Sequence, residues 1–370
     1  MLNMEEKMLI LVINPGGLST KLAIFDGEQQ LHSASLEHAT DDLKKYDSII
    51  EQLPFRMEVV EEFLQQSGVK PEDLSAVSGR GCPFQPLRSG VFAVNEAMVS
   101  DITEGRLQLQ HASLLGPLMA DAFRKAHNIP AFVVDPVSVD EMTDYARLSG
   151  LKGLKRRSLS HALNTKYVAR KVCRTLDCNY DDVNMVVAHL GSGLSITAHT
   201  KGRMVDVSEG MNAGPFSPQR SDQLPVLDLV KMCYSGEYSH KDIQRLIMKE
   251  GGMYSYLGTD NGREVVSRAT SGDAEADVVL EAMCYQIAKE IGAMAVAAGM
   301  PLKVIAITGG LAHSRVFTKR IIDRVKGLAP IEVLPGEFES EALAEGARRV
   351  LSEEVAALEY PAPPVVKVTF

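Results

Sequence analysis

The stretch from Val12 to Phe25 reads VINPGGLSTKLAIF, with two apolar runs on either side of a turn rich in glycine and hydroxyl residues. The runs have β-strand composition, so the segment predicts a hairpin. Glycine lets a ligand approach the backbone, and successive N–H groups can then point at one anion. The turn is therefore a candidate phosphate site, and a hairpin without a ligand is the alternative.

The same pattern of strand, glycine-rich turn and strand occurs again near the middle of the chain. After the apolar run 185–187, the segment 188–198 reads AHLGSGLSITA. Both copies contain a strand, a polar residue, a glycine-rich turn, a serine and a second strand, which predicts an internal duplication. Four hydroxyl side chains are further candidate donors to phosphate: Ser19, Thr20, Ser192 and Ser195.

Strand-like and helix-like runs alternate around both copies. This alternation predicts α/β layers with a largely buried sheet, and 370 residues suggest two domains. We place the boundary near residues 150–180, with a ligand cleft between the halves. The further predicted strands are 74–78, 131–134, 304–308 and 331–334, and the predicted helices include 59–66, 114–127, 161–176, 274–298 and 339–354.

Composition argues against several classes of function. The net charge is −9 without a long basic run, so no nucleic-acid partner is expected. Charged residues and a proline interrupt the most apolar segment, 287–310, and the first residues lack a signal-peptide pattern. The five cysteines are scattered without a CxxC motif. We therefore expect a soluble, cytoplasmic protein with reduced thiols and no membrane partner.

A third glycine-rich turn, Thr308 to Ser314, follows the predicted strand at 304–308 and opens a helix. This arrangement suits the packing of backbone against an adenosine or a phosphate. Other phosphate motifs fail, because GxxxxGK[ST] does not occur and the second hairpin lacks the third glycine of a dinucleotide fingerprint.

Taken together, these motifs resemble the acetate and sugar kinase, heat-shock protein and actin superfamily, and the finer motifs resemble the butyrate kinases of the acetokinase family. The resemblance covers nearly the whole chain. It implies two duplicated α/β domains of the actin-like ATPase (ribonuclease H-like) type, 1–160 and 161–370, with a cleft between them. The segments that carry it are INPGGLSTK (13–21), SGRG (78–81), GVFAVNEAM (90–98), HASLLG (111–116), FVVDPVSVDEMTDYARLSG (132–150), RRSLSHALNTKYVAR (156–170), HLGSGLSI (189–196), GPFSPQRSDQLP (214–225) and VLPGEFESEALAEGARRVL (333–351).

The resemblance implies phosphoryl transfer between ATP, with Mg²⁺, and a short-chain carboxylate, most closely butyrate, or the reverse from an acyl phosphate to ADP. Acetate, propionate and isobutyrate are the alternative acids. A carboxylate is already ionised at neutral pH, so the reaction needs positioned cations rather than a strong base. The family also implies a homodimer or a larger homo-oligomer.

The resemblance assigns roles to individual residues. Arg80 is the substrate-binding arginine and Arg220 a second arginine, at the phosphoryl or carboxylate group. His161 hydrogen-bonds the phosphoryl group in the transition state, and Asp135 and Glu341 are carboxylates associated with magnesium. Substrate binding also includes His111, and nucleotide or phosphate binding includes Asn14, Gly16, Ser19, Lys21, His189, Gly191, Gly193, Gly309 and Gly310.

Some of these residues have structural alternatives. His111 and His189 fit a structural role as well, Asn14 fits a turn cap, and Glu341 could complement a helix dipole. The apolar wall beside the acid is expected near Arg80, whose sequence neighbours are Cys82, Pro83 and Phe84.

The chain departs from the family pattern at three places. Gly17 and Leu18 replace two hydroxyl residues of the first turn, Ser192 replaces a glycine of the second, and Asp222 replaces the glycine after Arg-Ser. A carboxylate at 222 could neutralise Arg220 or repel the substrate. These departures leave open a second class of protein, a sensor that binds nucleotide or an acyl ligand without turnover.

Overall fold

The computed structural model describes residues 7–209 and 213–361. These residues form two compact units, one within Met1–Asp140 and Phe338–Lys367 and the other within Glu141–Glu337. The sequence-based domains, 1–160 and 161–370, differ from these units in two ways: the second unit already begins at Glu141, and the last helix packs against the first sheet. The chain therefore returns to its first unit before it ends.

The first unit contains a six-stranded mixed sheet in the order β3-β2-β1-β4-β6-β5. The pairs β1–β2, β2–β3 and β5–β6 are antiparallel, whereas β1–β4 and β4–β6 are parallel. The strands are β1 Leu9–Pro15, β2 Ser19–Asp26, β3 Gln29–Glu37, β4 Ala76–Arg80, β5 Val91–Ala93 and β6 Ala131–Val134.

The second unit contains a five-stranded sheet in the order β11-β10-β7-β8-β9. Its antiparallel pairs are β7–β8 and β8–β9, and its parallel pairs are β7–β10 and β10–β11. The order and the strand directions repeat those of β3-β2-β1-β4-β6, which confirms the predicted duplication. The strands are β7 Asn184–Leu190, β8 Leu194–Thr200, β9 Arg203–Glu209, β10 Val304–Gly309 and β11 Ile331–Pro335.

Helices cover the sheets. The helices are α1 Thr40–Leu43, α2 Leu53–Ser67, α3 Glu96–Thr103, α4 Leu115–His127, α5 Asp144–Arg147, α6 Ala162–Thr175, α7 Val226–Cys233, α8 His240–Met248, α9 Gly252–Leu257, α10 Gly262–Thr270, α11 Ala274–Ala298, α12 Arg315–Val325 and α13 Glu339–Leu351. In the first unit α4 and α13 pack on β1, β4 and β6, and in the second unit α11 packs on β7, β8 and β9. Within the described ranges, no helix has both the length and the apolar character that a membrane span requires.

The central strands are buried because their sequences are apolar on both faces. Every residue of β1 is buried, as expected for a strand with helices on both sides of its sheet. The predicted elements at 131–134 and 274–298 are confirmed at both ends. Strand β4 begins two residues later than predicted, because Leu74 closes the 3₁₀ turn Pro71–Asp73. It therefore ends at Arg80.

Candidate active-site residues

Arg80 lies in a three-residue polar cluster in the first unit, with Asn14 and Glu339. The guanidinium forms an ion pair with Glu339 (Nη2 to Oε1, 3.1 Å), and its Nη1 donates to Oδ1 of Asn14 (3.2 Å) and to Oε2 of Glu339 (3.3 Å). The amide of Asn14 donates to Oε2 of Glu339 at 2.8 Å. The ends of β1 and β4, which are paired strands, and the first turn of α13 bring these groups together.

Glu339 is a functional candidate that the sequence analysis missed. The segment GEFESE offers three glutamates, and their spacing alone does not distinguish them. Glu341, the predicted metal-associated residue, lies half-buried in the first turn of α13. The structure thus supplies a carboxylate beside Arg80 two residues before the predicted one, and the metal role of Glu341 stays a prediction.

The glycines around Arg80 are required by backbone packing. A Cβ at Gly79 would lie 2.4 Å from the carbonyl oxygen of Gly116, and a Cβ at Gly116 would lie 2.2 Å from that of Arg80. At Gly81 a Cβ would meet Pro136 at 2.5 Å. These contacts let α4 approach β4 closely and fix the backbone from which the guanidinium extends.

Asp135 is buried at the end of β6, in a left-handed conformation with φ of 34°. Its Oδ1 accepts hydrogen bonds from the hydroxyl of Ser89 (2.6 Å) and from the N–H of Gly90 (2.9 Å). One carboxylate oxygen is thus used to hold the 89–90 turn. The association of Asp135 with magnesium stays a prediction, and Mg²⁺ usually keeps several waters through which a carboxylate can act.

Two other predicted residues of the first unit have distinct positions. His111 caps the 3₁₀ helix Ala112–Leu114, because its Nδ1 accepts from the N–H of Ser113 at 3.1 Å. This supports the structural alternative for His111, whose side chain is nonetheless exposed.

Lys21 pairs with Asn14 across the first hairpin, as Ser195 pairs with His189 across the second. Directly opposed residues of antiparallel strands share a face of the sheet.

The three residues expected to form an apolar wall beside the acid lie in the protein core. Cys82, Pro83 and Phe84 are buried, and the ring of Phe84 packs against that of Tyr360 with 5.0 Å between centroids. Burial raises the pKa of the Cys82 thiol well above its usual value, so this thiol stays protonated and packs as an apolar group.

In the second unit, His161 and His189 stack face to face. Their ring centroids are 4.1 Å apart with an interplanar angle of 16°. Nδ1 of His161 shares a 2.8 Å hydrogen bond with the hydroxyl of Ser195, and Nδ1 of His189 shares one of 2.8 Å with the amide of Asn164. These hydrogen bonds and the stacking fix the orientation of both rings. Ser195 is also a candidate donor to phosphate from the sequence, and that role stays a prediction, while its hydroxyl forms a hydrogen bond with His161.

The glycines of the second turn lie against functional side chains. A Cβ at Gly191 would lie 3.2 Å from Nε2 of His189, and one at Gly193 would lie 2.9 Å from Nη1 of Arg220. The structure therefore brings together the predicted residues His161, His189, Gly191, Gly193 and Arg220. Glycine at 193 leaves room for the guanidinium beside the turn.

Asp222 adopts a left-handed backbone conformation, with φ of 46°. This geometry accounts physically for the glycine that the family has here, because glycine adopts it without strain. Aspartate is among the side chains that tolerate this region. The residue is 7% exposed, so its carboxylate is buried two residues from Arg220 in the chain.

The two glycines of the third turn have different roles. Gly309 has a φ of 94°, and a Cβ there would lie 2.4 Å from the carbonyl oxygen of Leu190, so backbone packing requires this glycine. A Cβ at Gly310 would meet nothing within 4 Å. Gly310 lines a cavity of about 300 Å³, whose other walls include Met253, Gly262, Val266, Leu311 and Phe317. Apolar walls and exposed backbone suit a flat heterocycle.

In the part of the chain that the structure describes, no group of three or more His, Cys, Asp or Glu residues could hold a metal ion. A phosphate-bound Mg²⁺ needs one or two protein carboxylates, so the donors present fit that kind of site.

Two mixed sheets with the same strand order, each opened by a glycine-rich hairpin, define a duplicated α/β protein of the acetate kinase and actin-like ATPase fold type. The model of the acetokinase family matches residues 148–358, which is more than half of the chain. The chain therefore belongs to the acetokinase family, and it is a carboxylate kinase of that family.

Solved structures support the same fold over nearly the whole chain. Acetate kinase from Porphyromonas gingivalis is 18% identical with a TM-score of 0.76, covering 93% of this chain and 100% of that one. A propionate kinase from Francisella tularensis is 20% identical with a TM-score of 0.72, covering 92% and 98%. Acetate kinase from Entamoeba histolytica is 13% identical with a TM-score of 0.73, covering 91% and 98%. At these identities the likeness establishes the fold alone.

Proposed function

We propose that the protein transfers the γ-phosphoryl group of ATP to butyrate, giving butyryl phosphate and ADP, and catalyses the reverse reaction. The observation that carries this proposal is the pair of preset polar clusters, Arg80–Asn14–Glu339 at the first hairpin and His161–His189 at the second. The choice of butyrate rests on the sequence motifs alone, because the similar solved structures are of acetate and propionate kinases.

We propose that Arg80 binds the carboxylate of the acid. The guanidinium has five N–H donors, and those on Nε and on the side of Nη2 away from Glu339 can form two parallel hydrogen bonds with the acid, which fixes its orientation. Glu339 and Asn14 hold the guanidinium in one rotamer, so less side-chain entropy is lost on binding. An ionised acid needs no base, and its attack depends on orientation and on charge stabilisation.

We propose that His161 and Arg220 stabilise the phosphoryl group during transfer. The hydrogen bond between Ser195 and His161 orients the His161 ring, and the stacked His189 limits its rotation. Arg220 lies against Gly193, where a guanidinium can interact with charge that develops near the turn. Such preset donors act without reorganisation during the reaction.

The nucleotide is proposed to place its adenosine in the cavity lined by Gly310. The phosphates are assigned to the turns of the two hairpins, through backbone N–H groups. When bound, Mg²⁺ would neutralise phosphate charge, and Asp135, Glu339 and Glu341 are the candidate carboxylates to hold it, directly or through water.

The test is trapping of the acyl phosphate. Purified protein is mixed with ATP, Mg²⁺, butyrate and hydroxylamine, and butyryl hydroxamate is measured. We expect steady hydroxamate formation in the wild type and about 10²–10³-fold less in Arg220→Ala, a typical loss when one transition-state donor is removed. Equal rates in both proteins would remove Arg220 from the mechanism.

A sensor without turnover is the second candidate, and the observation that favours it is the buried carboxylate of Asp222, two residues from Arg220 in the chain. A sensor would bind ATP in calorimetry but give no hydroxamate with acetate, propionate, butyrate or isobutyrate. This pattern would contradict the kinase proposal and leave nucleotide binding in place.

A further inference from the structure

Arg56, on α2 of the first unit, buries its side chain completely against the first hairpin. Its Nη1 donates to the carbonyl of Ser19 (2.8 Å) and to the hydroxyl of Thr20 (2.9 Å). Its Nη2 donates to the carbonyls of Gly16 and Gly17, both at 3.2 Å, and to Oε1 of Gln52 at 3.1 Å. Four of its five acceptors therefore belong to the hairpin.

This arrangement is costly for the folded state. All five acceptors are neutral, and Nε has no hydrogen-bond partner among the described residues. Removing a cation from water without a counter-charge is unfavourable, and burial lowers the pKa of Arg56 accordingly. A neutral donor would hold a structural turn at lower cost. The charge therefore points to a functional role.

The hydrogen bonds also fix the direction of the peptide groups in the turn. Arg56 binds the carbonyls of Gly16, Gly17 and Ser19, and the N–H of His38 binds that of Leu18 at 2.8 Å. In a trans peptide, the N–H of the next residue points opposite to the carbonyl. The N–H groups of Gly17 and Leu18 thus point away from the guanidinium, on residues that are both exposed.

We propose that Arg56 is a positioning residue for anion binding at the first hairpin. By holding the carbonyls inward, it presets the N–H groups of Gly17 and Leu18 toward a phosphate of the nucleotide, and its buried charge makes the potential beneath the turn positive. This inference rests on the proposed function, which assigns phosphate to this turn.

The inference also accounts for the unusual turn sequence. Gly17 and Leu18 lack the hydroxyls that the family usually has here, so the backbone must supply the donors. The hydroxyl of Thr20, a candidate phosphate donor from the sequence, is buried. It accepts from Arg56 and forms a 2.8 Å hydrogen bond with Nε2 of His38. In the second hairpin, the neutral hydroxyl of Ser217 donates to the carbonyl of Ser192 at 2.8 Å.

The first test compares Arg56→Met and Arg56→Lys with Val60→Ala, a cavity variant at a fully buried position one turn along α2. Dissociation constants for ATP with Mg²⁺ are measured by calorimetry, together with KM for butyrate and the free energy of unfolding. Arg56→Met should weaken ATP binding about tenfold or more, as expected when positioned donors are lost, with KM for butyrate unchanged. Arg56→Lys should be intermediate, and Val60→Ala should lose stability but keep ATP affinity.

The second test uses the wild-type protein and does not depend on the folding of any variant. In ¹⁵N spectra, the amide protons of Gly17 and Leu18 should shift downfield on saturation with ADP. Unmoved amides, unchanged ATP affinity in folded Arg56→Met, or an equal loss of affinity in Val60→Ala would each overturn the role of Arg56. Wild-type protein that binds nucleotide without turnover would overturn the kinase proposal alone. Wild-type protein that binds no nucleotide would overturn both.

Discussion

Replacement of Glu339 by glutamine tests the cluster that holds Arg80. The carboxylate accepts from Asn14 at 2.8 Å and from two guanidinium nitrogens at 3.1 and 3.3 Å. Glutamine keeps one acceptor but turns an NH₂ group toward a cation or an amide donor. Hydrogen bonds to charged groups contribute about 1.5–3 kcal/mol each. The Arg80 and Glu339 side chains are 20% and 14% exposed, so screening by solvent is limited.

Loss of one such bond should reduce the population of the correct Arg80 rotamer by roughly 10–150-fold, at about 1.4 kcal/mol per factor of ten. We therefore expect kcat/KM for butyrate to fall by a similar factor in Glu339→Gln. The assay is initial-rate kinetics at saturating ATP and Mg²⁺, with circular dichroism to verify folding. Glu353→Gln, at an exposed glutamate just past the end of the same helix, is the matched control and should stay within about threefold of the wild type. The reverse order of the two effects would refute this reasoning.

Three further predictions follow from the geometry. Gly310→Ala should leave the free energy of unfolding within about 1 kcal/mol of the wild-type value but raise KM for ATP. Gly309→Ala should lower the free energy of unfolding by about 1–3 kcal/mol, because its Cβ would overlap the backbone of Leu190. Denaturant titration measures the stabilities, and initial-rate kinetics measures KM for ATP. Asp222→Gly should keep wild-type kcat and a stability within about 1 kcal/mol, because the left-handed backbone suits glycine; a large loss of kcat would give the carboxylate a catalytic role. Burial, with Lys166 and Arg170 nearby, lowers the pKa of His199 well below 6.5. Below pH 6.5 the unfolded state binds a proton that folded His199 does not. The free energy of unfolding should therefore decrease as the pH is lowered, by up to about 1.4 kcal/mol per pH unit. His199→Gln should remove that part of the slope in urea titrations between pH 5 and 7.

Much of the fold could be predicted from the sequence because its signals are local. The apolar runs and glycine turns of both hairpins indicated the duplicated sheets. The strand predicted at 131–134 has these bounds, and the one predicted at 304–308 ends one residue later. The packing of α13 against the first unit could not be predicted from local sequence signals. It depends on contacts between α13 and strands more than 200 residues earlier in the chain.

The candidate site was predicted in part. Motifs indicated Arg80, His161 and Arg220, since each lies in a distinctive segment. Glu339, which orients Arg80, comes from a distant part of the chain and has no signature of its own. Ser195 lies in the hairpin motif, but the motif gave no indication of its hydrogen bond with His161. Arg56 was missed for the same reason. An arginine within an ordinary amphipathic helix gives no indication that it binds the carbonyls of a turn about 40 residues away.

The most direct test of the proposed reaction is kcat/KM for acetate, propionate, butyrate, isobutyrate and valerate at fixed ATP and Mg²⁺. Each buried methylene contributes about 0.8 kcal/mol, so a site fitted to four carbons should prefer butyrate over acetate by about 1.6 kcal/mol, or roughly fifteenfold. We predict a maximum at butyrate. A maximum at acetate would contradict the butyrate assignment, and no turnover with any of the five acids would contradict phosphoryl transfer to a short-chain carboxylate.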